Sequence, residues 1–196
     1  MRPPKAATPR RRNAVATRAA ILASARRAFV NKGYDGAGVR EIAAGAGVTA
    51  MLVNRYFGSK EKLFAEVMAD TLAPAVILDP GNLRSKNLAA TLAEALVRVT
   101  AAEATPLDGF LIVTRSAASS RAAAIARREI EKSHQRAMSE TLGGRLAGER
   151  AALFLALVAG VQSMRQVIGL KALAQAEPAD LAGLLAPMIE TLLRLG

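Results

Sequence analysis

The chain has 196 residues, 52% of them hydrophobic and only 4% aromatic, with 27 Lys and Arg against 16 Asp and Glu, one His and no Cys. That length suits one domain, or a small module joined to a larger core, and the apolar content excludes disorder throughout. Absence of cysteine excludes a disulfide scaffold, thiol chemistry and cysteine zinc sites, and it fits a reducing, cytoplasmic setting.

The net charge of +11 is unevenly placed. Residues 1–62 carry 13 basic and 3 acidic side chains, whereas residues 63–196 carry 14 and 13. So local a basic field attracts a polyanion: nucleic acid, an anionic membrane or an acidic partner. The start, Met1 to Asn13, lacks the apolar core of a secretory signal, and Pro3, Pro4 and Pro9 interrupt the amphipathic helix of an organelle transit peptide. The longest apolar stretch, Ala151 to Met164, falls short of the roughly 20 residues that cross a bilayer, so no membrane span is expected.

Helical periodicity dominates, and strand alternation is nearly absent. Thr17–Lys32 puts Ile21, Leu22, Ala25, Ala28 and Phe29 on one stripe before the stop at Gly33. Val39–Ala46 repeats the pattern with Val39, Ile42, Ala43 and Ala46. Gly47 and Val48 then interrupt it, and Thr49 is placed to cap a third helix. Ser59 can cap a fourth, which Pro74 ends or kinks. Leu78-Asp-Pro-Gly-Asn82 reads as a loop. Further helices are expected near 85–103, 107–118, 120–142, 148–171 and 178–195, the last bent by Pro187.

Gly38 to Phe57 is the informative segment. Two short helices joined by a glycine turn have the shape of a helix-turn-helix, whose second helix enters a DNA major groove. Small Ala43 and Ala46 let the two helices cross closely, Gly47 supplies the positive φ of the turn, and Val48 plugs the angle. At about 100° per residue, Leu52, Val53, Tyr56 and Phe57 share an inner face. Met51, Asn54 and Arg55 face outward, with Ala50 at the border. Asn54 suits an adenine edge, Arg55 a guanine or a phosphate, and Met51 a thymine methyl. Thr49 offers a hydroxyl and free N–H groups at a helix start, and the Tyr56 hydroxyl reaches towards the backbone. Arg40 and Lys60, in the first turns of the second and fourth helices, stand where flanking phosphates are expected. The DNA-binding set is thus Arg40, Thr49, Ala50, Met51, Asn54, Arg55, Tyr56 and Lys60.

Residues Thr17–Leu63 resemble the DNA-binding domain of the tetracycline-repressor (TetR) family. The likeness is carried by Ile21-Leu22, Phe29, Gly33-Tyr34, Val39-Arg40-Glu41-Ile42-Ala43, Ala46-Gly47-Val48-Thr49, Tyr56-Phe57 and Ser59-Lys60-Glu61-Lys62-Leu63. It implies an all-α protein: a three-helix reading head joined through a fourth helix to a larger helical domain that dimerises and binds a small molecule. It also implies a ligand-responsive transcriptional regulator, most often a repressor. Two positions depart from the family pattern. Gly38 stands where Thr or Ser usually caps the second helix, and Asn54 stands where an aromatic residue is frequent. Glycine cannot donate the phosphate contact, and the base-reading set is correspondingly unusual.

The expected organisation is a basic, flexible arm at 1–12, a DNA-binding domain at 13–73 with its helix-turn-helix at 37–56, and a regulatory and dimerisation domain at 74–196. The arm either follows a minor groove or phosphates, or is a solvated tail. Helices 148–171 and 178–195 hold more apolar residues than one face of each requires, so part is expected to pack on a second chain. Two-fold symmetry then implies a palindromic operator in double-stranded DNA. The effector is expected to be small and apolar or amphipathic, with pocket residues unassigned. Leu72, Ile77, Val97, Phe110, Val113 and Met138 read as plain core.

No catalytic set emerges, and neither cofactor nor metal is expected. His134 lies among Glu131, Lys132, Gln135 and Arg136 and reads as an exposed helical residue, while Glu129 and Glu131 diverge on a helix. Two alternatives stay open: an architectural DNA-binding protein without an effector, and a helical carrier of apolar ligands whose basic head touches membranes.

Overall fold

The computed structural model describes residues 9–73, 76–101, 103–105 and 107–194, with side chains from residue 13 onward. Every regular element among the described residues is helical. The chain forms two compact units: residues through Asp70 with Leu111–Ala126, and Thr71–Phe110 with the residues from Arg127 on. The linear division at 73/74 does not contain this grouping, because a later segment packs with the first unit.

In the first unit, α1 spans Pro9–Gly36, with a break at Gly33 where φ is 66° and ψ −174°. It begins eight residues before the expected start at Thr17. Ala and Arg favour helix, and a proline in the first turn loses no intrahelical bond. Pro9–Arg12, assigned by sequence to a flexible arm, are therefore helical. The remainder of that arm, residues 1–8, lies outside the described residues. Next come α2 (Val39–Gly45), α3 (Ala50–Phe57) and α4 (Lys60–Leu72). Ile21, Phe29, Ile42, Leu63, Phe64 and Met68 are fully buried and form the centre of this unit. The Phe64 ring meets those of Phe29 and Tyr34 edge-on, each at 5.0 Å between centroids.

Elements of the second unit begin with α5, a single turn at Pro80–Leu83. The segment read as a loop is helical there because Asp79 Oδ1 accepts the Gly81 N–H at 2.7 Å and Pro80 presets the first helical φ. Then follow α6 (Leu88–Val99), α7 (Asp108–Ser116) and α8 (Ser120–Ile130). A π-helical turn at Glu131–Gln135 leads into α9 (Arg136–Leu142). After α10 (Ala147–Gln162) a second π turn covers Ser163–Val167, and Gly169, at φ 69°, separates it from the short α11 (Lys171–Ala174). Finally, α12 (Pro178–Arg194) runs on through Pro187. α7 and α8 are shared: their adjoining halves, residues 111–116 and 120–126, belong to the first unit.

Ile77, Leu92, Leu96, Val97, Met138, Phe154 and Ile189 lie in one buried cluster of the second unit, as expected of Ile77, Val97 and Met138. Two arginines are buried with it. Arg150, 2% exposed, donates to the carbonyls of Leu192, Leu193 and Gly143, and so closes the end of α12. His134 departs from its expected exposure. It is half-buried in the first π turn, with Nδ1 3.0 Å from Ser133 Oγ, and burial lowers its pKa. Leu153, Met164, Val167, Ile168, Leu184 and Met188 remain exposed on the α10 to α12 segment.

Candidate nucleic-acid interface

The corner between α2 and α3 is built from backbone. Ala46 N–H is shared between the carbonyls of Ile42 and Ala43, both at 3.1 Å, and Val48 N–H returns to Ala43 O at 3.0 Å. Between them Gly47 takes φ 66° with open space around it, so this glycine is needed for its dihedral and not for clearance. Thr49 then adopts extended φ/ψ and its Oγ1 accepts the Leu52 N–H at 3.3 Å, the expected N-cap. Gly38, before α2, has no side chain with which to cap.

On α3 the amphipathic division holds. Val53 and Phe57 are buried, Leu52 and Tyr56 half-buried, Ala50 half-buried at the border, and Asn54 and Arg55 exposed. Met51 is 79% exposed, the most open of the large apolar residues described. An extended apolar side chain held in water costs free energy unless a partner covers it, so its position on the outward face is informative. Gly58, at φ 80°, ends the helix, and its N–H donates to Asn54 O at 2.7 Å.

Of the flanking cations, Arg40 is exposed in the first turn of α2. Lys60 is half-buried, with Nζ 4.5 Å from the centroid of the Tyr34 ring. Its neighbour Glu61 pairs with Arg121 at 2.8 Å, and burial raises the Tyr34 pKa, assisted by the Glu61 charge and opposed by Arg121. The Arg18 guanidinium lies 5.0 Å from the Phe57 centroid and pairs with Glu66, which fixes the inner side of α3 and α4 to α1.

Sequence reasoning missed several residues that hold this head. Ser24 Oγ donates to Ile42 O at 2.8 Å in a buried position, and a β-carbon on Gly45 would lie 2.4 Å from that Oγ. The close approach thus occurs at Gly45, against α1, beside the small residues assigned to it. Ser116 Oγ accepts the Tyr34 N–H at 2.9 Å, and Arg115 donates to Val30 O, from a segment about eighty positions away. No local pattern in the sequence announces a bond at that separation.

A head whose second helix exposes Asn, Arg and Met over a buried apolar side, with a large helical unit after it, defines a helix-turn-helix DNA-binding transcriptional regulator. Residues 21–67 match the family model described as bacterial regulatory proteins, tetR family. Residues 86–193, more than half of the chain, match the tetracyclin repressor-like C-terminal domain. The chain belongs to the TetR family. Similar solved structures include a transcriptional regulator from Rhodococcus sp. Rha1, 25% identical, with a TM-score of 0.60 over 90% of this chain and 96% of that one. AibR, solved in complex with isovaleryl coenzyme A and operator DNA, is 17% identical with a TM-score of 0.60, covering 88% of this chain and 97% of its own. The fatty acid degradation regulator FadR from Bacillus halodurans is 15% identical, with a TM-score of 0.60 over 91% and 98%. No curated protein matches the chain. The family consists of regulators and not enzymes, and among the described residues no group of three or more His, Asp or Glu could hold a metal ion. No described helix is long and apolar enough to cross a membrane.

Proposed function

We propose that the protein is a cytoplasmic repressor that grips a palindromic operator as a homodimer and is released by a small apolar or amphipathic effector. The observation that carries the DNA-reading part is α3 itself, with Val53 and Phe57 buried beneath exposed Met51, Asn54 and Arg55. Asn54 and Arg55 read base edges, Met51 and Ala50 meet thymine methyls, and Arg40, Thr49, Tyr56 and Lys60 hold phosphates. Lys60 reaches the DNA from over the Tyr34 ring, which limits the conformations its long side chain must give up on binding.

Support for the dimer comes from the apolar residues left open on the α10 to α12 segment, notably Leu153, Met164, Leu184 and Met188. Paired helices from two chains would cover them and would set two copies of α3 about 34 Å apart, one turn of DNA. The effector acts if it binds one spacing of the heads better than the other. The sequence boundaries of the two units, at 70/71, 110/111 and 126/127, fall within α4, α7 and α8. That AibR was solved with both a coenzyme A thioester and operator DNA makes an amphipathic effector compatible with this fold. Selection of bound fragments from random duplex DNA tests the reading. A palindromic consensus with half-sites one turn apart is expected, and fragments without consensus would sink it.

A further inference from the structure

Between α6 and α12, within the second unit, lies a groove of about 690 Å³, inside the size range of small-molecule sites. Its walls are small residues: Ala90 on α6, and Ala182, Gly183 and Ala186 on α12. A β-carbon on Gly183 would meet nothing within 4 Å, so the space is open there. Such residues leave room for a slender apolar occupant and supply no polar group to hold it.

The charge in the groove is not symmetric. Arg98 and Arg165 line it together with Pro178 and Ala179 of the first turn of α12, where Pro178 has no N–H, the Ala179 N–H lacks an intrahelical partner, and Asp180 adds an acidic side chain to the same turn. Arg165 is 4% exposed, and its bonds go to neutral oxygens: Nε to Leu173 O at 3.1 Å, and Nη1 to Val97 O at 2.6 Å and Thr100 Oγ1 at 3.0 Å. Burial lowers its pKa, and only the Glu103 charge is set against that. A desolvated guanidinium without an ion pair is costly, and an anion delivered by a ligand relieves it. Glu94, one helical turn from Arg98 on the same wall, places its carboxylate away from the Arg165 end, so the cationic end of the groove is the one that suits an anion. A cationic end and an apolar wall together suit an anionic head on an aliphatic tail.

We infer that the groove between α6 and α12 is a binding site for an aliphatic monocarboxylate. The carboxylate sits by Arg98, Arg165 and the start of α12, and the chain lies along Ala182, Gly183 and Ala186. This rests on the effector reading above and gives it a site and a ligand class. Arginine suits the head because its planar fork takes both carboxylate oxygens, and the small residues suit the tail because contact along a methylene chain needs a smooth wall.

The test uses the full-length protein and octanoate, with 1-octanol and octylammonium as neutral and cationic counterparts, followed by calorimetry. Octanoate is expected to bind once per chain and about tenfold or more tighter than either counterpart, the factor that one charge-assisted contact supplies. Arg98→Gln, on the exposed rim, should lose about that factor. Gly183→Leu fills open space on a helix and should fold as the parent does, by its thermal melt, yet lose octanoate binding. Ala186→Leu gives the same blockade from the next turn. Unchanged octanoate affinity in both leucine variants overturns the site, as does equal affinity for octylammonium. A change in assembly mass in Gly183→Leu with octanoate binding intact also overturns it, since the groove is then a contact between chains. Operator affinity is measured separately. If octanoate binds and the leucine variants block it without any effect on operator affinity, the site stands and the effector reading fails.

Discussion

The carbonyl oxygen of Arg115 occupies the place a side chain on Gly33 would need: a β-carbon built there would lie 2.3 Å from that oxygen. Gly33 also has φ 66° and ψ −174°, a backbone region that is essentially glycine's alone. Both constraints act where α1 breaks and the chain turns into Tyr34, whose N–H is satisfied by Ser116. The first helix of the reading head is therefore finished by residues from α7. Gly33→Ala should destabilise the protein by on the order of 2–4 kcal/mol, combining dihedral strain and backbone overlap. Urea unfolding monitored by circular dichroism measures it, and a midpoint unchanged from the parent would contradict the packing.

A second glycine gives a sharper contrast. Gly45→Ala places a methyl group 2.4 Å from Ser24 Oγ, whereas Gly47→Ala meets no atom and suffers only from φ 66°. Gly47→Ala should cost about 1 kcal/mol. Gly45→Ala should cost more in the parent than in a Ser24→Ala background, because removing the hydroxyl frees the space. The double-mutant cycle reads this coupling directly, and a value near zero would show that Ser24 simply rotates away.

The outward residues of α3 divide by chemistry. Asn54→Ala and Arg55→Ala should each relax preference at particular operator positions, at about 1–3 kcal/mol per position, while Lys60→Ala should weaken all duplexes alike and lower the salt slope by about one. Affinities for single-base variants of the selected operator, taken at several salt concentrations, separate the two behaviours. Uniform weakening by Asn54→Ala would remove it from base reading.

His134 provides a pH signature. Burial holds its folded pKa below the ordinary 6.5, so as pH falls below about 6.5 the unfolded chain takes up a proton that the folded chain resists. Stability should thus fall with decreasing pH in that window and be indifferent to this residue above it. His134→Gln should flatten the mildly acid part of a plot of melting temperature against pH. An identical slope in parent and variant would assign the loss to other groups.

Exposed Leu153 and Leu184 test the assembly. Leu153→Glu or Leu184→Glu places a charge where an apolar partner is proposed, and should turn a dimer into a monomer at micromolar concentration while sparing the helical content. Light scattering with circular dichroism gives both readings. A parent that is already monomeric would end the dimer proposal outright.

Much of this was present in the chain's local chemistry. The helix-turn-helix follows from the 3.6-residue spacing of Val39, Ile42, Ala43, Val53 and Phe57, the positive φ of Gly47 and the Thr49 cap, all interactions within a few residues. The reading face of α3 follows likewise, since burial of one side leaves Met51, Asn54 and Arg55 on the other. Helical extent is less local: α1 begins at Pro9, and Pro80–Leu83 is a turn of helix where the sequence punctuation reads as loop. Propensity and capping there compete within about a kilocalorie per mole, so neighbours decide.

What the tertiary structure alone decided is where charge and hydrogen bonds go when distant segments meet. Arg150 and Arg165 are buried against carbonyls at helix ends, and Arg115 and Ser116 complete the head through bonds to Val30 and Tyr34, about eighty residues earlier. Sequence periodicity reports which side of a helix is apolar; it holds no record of which carbonyl will lack a partner, because that depends on the packing of other elements around it.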